Sequence, residues 1–248
     1  MSGAGGISQP VIGDFVPIKK YGDIGKRMKE SGIAEEVLVA VPGSWGKKAA
    51  RTWGGKITQK RAIEKANKIL EGIHDIETRL NIKLPKVKGV FVTNSKRGAA
   101  HSIKPANEAW MTFANEWSDD AWKNIRAWEK KHNGKWDGSP EESHIFDNLR
   151  HEWGHVIDGD LGNKVPGAQA KPAIRRRLTD TDEFKAMQRE VFKTDKFPSS
   201  KISEYAKTNS KEWFAEAFTQ YTSKHYKGNF PKRLEKYLDS VLDNYRVD

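Results

Sequence analysis

His151-Glu152-Trp153-Gly154-His155 is the stretch from which the rest of the chain is read. On an α-helix, residues four apart lie about 40° apart around the axis and one turn along it. Two imidazoles at that spacing can grip one metal ion, and the intervening Glu152 can reach the water such an ion binds. The competing reading is a helix whose histidines are ordinary polar surface residues. The flanking sequence favours a helix with a defined start. Ser139-Pro140-Glu141-Glu142 combines an N-cap serine, a proline at the first helical position and a glutamate at N3. Ile145, Phe146, Leu149 and Val156 then recur at helical spacing, and Gly159 or Gly162 marks the predicted end.

The 248 residues suit one medium domain with extensions, or two small ones, and are enough to bury a core. Cysteine is absent, which excludes disulfides and thiolate chemistry and confines any metal to His and carboxylate ligands. No apolar run approaches the roughly 20 residues needed to cross a bilayer, so no membrane span is expected. The glycine-rich start, Met1 to Gly6, is followed by no apolar stretch of the kind a signal peptide carries. Those glycines also follow no strand, which argues against a nucleotide-binding loop. Synthesis in the cytoplasm is expected, with packaging into a virion or export by a dedicated route left open.

The net charge is +11. Lys47-Lys48, Arg51, Lys56, Lys60-Arg61, Lys65 and Lys68 form the densest basic stretch, and Arg175-Arg176-Arg177 is a second cluster. Such a balance suits contact with nucleic acid or an anionic surface. With no recognised binding module in the chain, a solvated basic surface outweighs specific nucleic-acid binding. Non-specific contact with nucleic acid is the partner class that the charge alone suggests.

Periodicity organises the remainder. Val37 to Val41 reads as a short strand stopped by Pro42-Gly43, followed by a loop with Trp45, Trp53 and Gly54-Gly55. A helix is predicted from Thr58 to Leu80, with Ile63, Ala66, Leu70, Ile73, Ile76 and Leu80 on one side. Strands are expected at Val87 to Thr93 and Ala109 to Ala114, with Gly98 to Ile103 a further extended piece. Ser118-Asp119-Asp120 opens a short helix through Trp122, Ile125 and Trp128 to Asn133-Gly134. Between residues 159 and 203 a loop with Pro166 and Pro172 precedes a helix at about 180–193. Leu234, Tyr237, Leu238, Val241, Leu242 and Tyr245 make the packing stripe of a final helix. His74, His101, His132, His144 and His225 stand alone and read as surface or satisfied histidines. His101 is the exception to watch, because an edge strand there would run near a cleft.

A catalytic zinc usually takes three protein ligands, so one more is needed. Tyr205-Ala206-Lys207-Thr208-Asn209-Ser210-Lys211-Glu212 and the following Trp213-Phe214-Ala215-Glu216-Ala217-Phe218 hold the best candidates. Asn209 can cap a helix that sets Glu212 and Glu216 one turn apart among apolar neighbours, where a carboxylate is costly unless paired or bound to metal. The alternative makes Glu212 a capping-box partner of Asn209 and leaves Glu216 on a solvated face.

These two segments, from His151 to Asp158 and from Tyr205 to Phe218, resemble the anthrax lethal factor-like zinc metallopeptidase domains found in bacterial toxins and phage proteins, of the gluzincin HExxH…E type. The resemblance spans about residues 140–220. It implies Zn2+ held by His151, His155 and Glu212, with Glu152 as general base and Tyr205 as an oxyanion donor. It also implies that Glu216, and Asp158 in the same manner, orient the ligands. The fold it implies is α+β and zincin-like. A small mixed sheet and the active-site helix would form an upper lobe above a mainly helical lower lobe. Residues 1–55 would then be an N-terminal extension with a short strand, and 56–248 the peptidase domain. The activity implied is zinc-dependent endopeptidase, phage- or prophage-encoded, acting on a protein or peptide. That substrate would lie along an edge strand at Ala99 to Ile103 or Ala109 to Ala114. Two other readings stand beside it: a retired peptidase fold kept as a structural virion or interaction protein, and a basic nucleic-acid-associated protein.

Overall fold

The described strands all lie in the first half of the chain, and the described elements of the second half are all helical. A computed structural model describes residues 14–39, 57–95, 110–114, 144–164, 177–203 and 205–247. Several expectations lie outside the described residues: the end of the first strand at Ala40-Val41, the Trp45–Gly55 loop, the Gly98–Ile103 piece with His101, the Ser118–Asn133 helix and the Ser139–Glu142 cap. So do the loop with Pro166 and Pro172, the basic residues from Lys47 to Lys56, and Arg175-Arg176.

Helix α1 (Ile24–Glu30) leads into strand β1 (Ala34–Val39). Helix α2 (Gln59–Leu80) follows, then strands β2 (Val87–Ser95) and β3 (Trp110–Ala114). The strands form one sheet in the order β1-β2-β3, with Ala34 opposite Val87 and Gly89 opposite Trp110. Both described strand pairs, β1-β2 and β2-β3, are parallel. The cause lies in the connections. Parallel neighbours need a long crossover; α2 supplies it between β1 and β2, and residues 96–109 separate β2 from β3.

Strand β1 begins three residues before its apolar run. Glu35 and Glu36 sit exposed on this outer strand, where Lys88 of β2 pairs with them at 2.8 and 3.1 Å. The central strand carries a continuous apolar run, and Val90, Phe91 and Val92 are all buried. That is the pattern of a parallel strand covered on both faces. Helix α2 starts where predicted, with the Thr58 hydroxyl accepting from the Arg61 N–H at 3.3 Å. It ends at Asn81, whose φ of 50° is the left-handed C-cap conformation that asparagine tolerates. Ala62, Ala66, Ile69, Ile73 and Ile76 form its buried stripe.

The motif helix α3 (His144–Lys164) packs on helix α5 (Ser210–Tyr221) and on α2. Its polar residues Asp147, Asn148, Arg150, His151, Glu152 and Asp158 are buried along with Leu149, Trp153 and Val156. The helix is therefore enclosed on most sides, which explains its weak amphipathic pattern. It runs past both glycines predicted to end it. Tertiary contacts hold the last turn, since Leu161 is buried and Asp160 accepts from the Tyr245 hydroxyl at 2.6 Å.

A short 3-10 turn, Leu178–Asp180, precedes helix α4 (Asp182–Lys193), and the Thr181 hydroxyl caps α4 by accepting from the Phe184 N–H at 3.2 Å. Helix α6 (Lys232–Asp243) closes the chain with Leu234, Leu238, Val241 and Leu242 buried. The architecture is mixed helix and strand, an α+β arrangement in which no described residue after 144 belongs to a sheet strand. One core joins its parts. Ile24, Met28 and Ile33 from before residue 55 pack in the same cluster as Ile69, Val90, Trp153, Phe184, Trp213 and Leu238.

Candidate metal centre

The crossing of α3 and α5 brings three donor atoms together. His151 Nε2 and His155 Nε2 lie 3.2 Å apart on one face of α3. Glu212 Oε2, from the first turn of α5, is 3.2 Å from each of them. A tetrahedral ion with bonds of about 2.0–2.1 Å would separate its donors by about 3.3–3.4 Å, so the triangle has the dimensions of one face of such a site. His151 is buried, and His155 and Glu212 are partly exposed. These three residues form the metal-capable cluster among the described residues.

Local structure aims Glu212 at this point. The Asn209 carboxamide oxygen accepts from the N–H groups of Lys211 at 2.9 Å and Glu212 at 3.1 Å, which caps α5 without help from the Glu212 side chain. The carboxylate is therefore free to turn inward, and it is no capping-box partner. Glu216, one turn on, is 2% exposed rather than solvated, and its Oε1 lies 2.6 Å from His151 Nδ1. A carboxylate there accepts the Nδ1 proton, which fixes the tautomer and turns the Nε2 lone pair of His151 into the triangle.

The electrostatics call for positive charge at this point. Burial works against a charged imidazole, but hydrogen bonds to Glu212 and Glu216 and the charge of Glu152 outweigh it and hold His151 up to about 10. Burial pushes Glu152 up to about 8, against the pull of His151 and with the help of Glu212. Burial would raise Glu212 as well, yet the hydrogen bonds from His151 and His155 hold it well below the usual carboxylate range. A cation among these donors would replace the proton on His151 as the charge that balances the carboxylates.

Tyr205 stands at the edge of the cluster in a 3-10 turn, Tyr205–Lys207. Its ring centroid is 5.8 Å from that of His151, and about half of the residue is exposed. Burial first, and then the carboxylates Glu212, Glu152 and Glu216, push its phenol above the ordinary range. Asp158 acts elsewhere than the resemblance implies. Its Oδ1 accepts from the Thr179 N–H at 2.8 Å, and its Oδ2 from the Thr179 hydroxyl at 3.3 Å and from Arg177 at 3.2 Å. It thus ties α3 to the turn leading into α4 rather than orienting a histidine. Asp158 shares the histidine face by helical phase but lies nearly one turn beyond His155, where its side chain meets the Leu178–Asp180 turn.

Sequence reasoning missed two features of this centre. Gly154 of α3 lies tightly against Ala215 of α5; a Cβ built on Gly154 would lie 3.0 Å from Ala215 Cα. The signal was visible as a glycine in mid-helix, where alanine is otherwise preferred. The partners of Asp158, Thr179 and Arg177, had no signal, since they are distant in sequence and of common types. Compared with protein-family models and with curated proteins, the chain matches neither a family model nor any curated protein.

Proposed function

We propose that the protein is a zinc-dependent endopeptidase with a zincin-like fold, similar to the lethal factor-like metallopeptidase domains and phage- or prophage-encoded. The observation that carries this reading is the donor triangle, three edges of 3.2 Å between two imidazole nitrogens and one carboxylate oxygen. With cysteine absent, this borderline N and O donor set suits Zn2+. His151, His155 and Glu212 would hold the ion, and Glu216 would orient His151. Zinc bound there supplies a Lewis acid that acidifies water and polarises a carbonyl.

The residues of this chain do the rest. Glu152, buried between the two ligand positions on α3, takes a proton from the attacking water at its carboxylate and later delivers it to the leaving amine. Tyr205, a half-exposed residue whose ring lies 5.8 Å from that of His151, donates its hydroxyl to the oxygen that gains charge as the carbonyl is attacked. The retired-fold reading has less support, because a scaffold has no use for a buried glutamate and a tyrosine beside such a donor triangle.

The test pairs metal with turnover. The purified protein is expected to bind one Zn2+ per chain and to cleave an unstructured protein substrate. Glu152→Gln keeps side-chain size without basicity, so it should hold zinc as wild type does and lose about 10²–10⁴-fold in rate. Tyr205→Phe should also keep zinc and slow turnover. Wild type that takes up no zinc sinks the proposal; wild type with zinc that cleaves nothing favours the retired fold.

A further inference from the structure

Where the two helices that carry the donor triangle cross, Gly154 lies directly against Ala215. Gly154 lies between His151 and His155 on α3, and Ala215 lies between Glu212 and Glu216 on α5. A Cβ at position 154 would meet Ala215 Cα at 3.0 Å, its Cβ at 3.4 Å and its carbonyl oxygen at 3.5 Å. The nearest atom belongs to the backbone, so no rotamer change can make room. Helix α5 as a whole would have to retreat by several tenths of an ångström.

We propose that Gly154 is a positioning residue for metal binding: the missing side chain lets α5 come close enough for Glu212 to complete the donor triangle. The inference rests on the metal reading above. Both histidines share a helix with Gly154 and keep their mutual spacing when α5 moves. Both carboxylates share a helix with Ala215 and move with it. A retreat of α5 therefore lengthens the 3.2 Å His–Glu212 edges and the 2.6 Å contact between Glu216 and His151, and leaves the His–His edge unchanged. Metal sites hold ligand distances to within about 0.2 Å, so a shift of this size matters. Helix propensity alone would favour alanine at position 154, which makes the glycine a matter of the crossing.

The experiment measures Zn2+ affinity by chelator competition and the visible spectrum of the Co2+-loaded protein, with far-UV circular dichroism and metal-free melting as folding controls. Gly154→Ala is expected to weaken zinc by about 10–100-fold, the size seen when ligand-supporting contacts are lost, and to alter the Co2+ spectrum as the carboxylate withdraws. Gly25→Ala is the control, because a Cβ at this helical glycine meets nothing within 4 Å. It should leave both readings unchanged. Adding Ala215→Gly to Gly154→Ala should recover only part of the affinity, since it removes the contact at 3.4 Å with the Ala215 Cβ and leaves the one at 3.0 Å with the Cα. Gly154→Ala with wild-type affinity and spectrum overturns the inference. So does a Gly154→Ala protein that merely melts lower while binding zinc as before. Where Gly154→Ala alone does not fold, a double variant that folds and binds zinc more weakly than wild type supports it, and one that folds and binds zinc as tightly as wild type overturns it. Wild type that binds no zinc is a different result, which sinks the metal reading itself.

Discussion

At the scale of single residues, Glu212 and Glu216 illustrate how one turn of helix separates two roles. Both lie on the same face of α5, but Glu212 Oε2 meets the Nε2 atoms of two histidines, whereas Glu216 Oε1 meets only His151 Nδ1. Glu212→Ala should therefore abolish tight zinc binding, because it removes a donor. Glu216→Ala should weaken it by about 10–100-fold, and Glu216→Gln, which keeps an acceptor for the Nδ1 proton, should recover much of the loss. Chelator competition on the three variants decides the matter. If Glu216→Ala abolishes zinc while Glu212→Ala binds it normally, the roles are reversed.

At the scale of elements, α2 carries a charge-bearing group into its packing face. Lys65 is buried, its Nζ donates to the Thr93 carbonyl at 2.6 Å, and burial pushes its ammonium down to about 7. In the unfolded chain the same group titrates near about 10.4. Between those values the unfolded state binds more protons than the native state, so stability should rise with pH, by at most about 1.4 kcal/mol per pH unit. Below about 7 both states are protonated and the full cost of the buried charge is present. Lys65→Met should flatten this dependence and match or exceed wild-type stability at neutral pH, as replacing a buried charge with an apolar side chain often does. Urea midpoints from about pH 7 to 10 provide the measurement. Parallel profiles for the two proteins would show that Lys65 does not carry the effect.

At the scale of the whole molecule, the C-terminal segment binds the motif helix to the sheet half. Tyr245 is buried, its hydroxyl donates to Asp160 of α3 at 2.6 Å, and its carbonyl accepts from the Lys83 N–H at 2.7 Å. Next to it, Arg246 forms an antiparallel bridge with Ile82 at the turn between α2 and β2. Tyr245→Phe leaves the ring in place and removes one hydrogen bond to a charged group, a loss of about 1.5–3 kcal/mol. Equilibrium urea unfolding should register that loss while zinc content stays at the wild-type level. A variant of unchanged stability would place the tie in the backbone pairing alone.

Much of this was legible in the sequence. The H-E-x-x-H spacing implies a helix that presents two imidazoles together, Thr58 and Asn209 mark helix starts, and the absence of cysteine limits the metal ligands. The apolar runs at 87–93 and 109–114 mark strands, although only the long connections between them make the sheet parallel. What the sequence left open concerns pairs of elements. Periodicity sets the angle at which a side chain leaves its own helix, so Glu212 and Glu216 share a face in any reading. It does not set how closely two helices approach or where they cross. At the Gly154–Ala215 contact the two helices come close, and there Glu212 rather than Glu216 meets both Nε2 atoms. The same limit hid the partners of Asp158 and the last turn of α3, because Thr179, Arg177 and Tyr245 reach them only through the packing of distant segments.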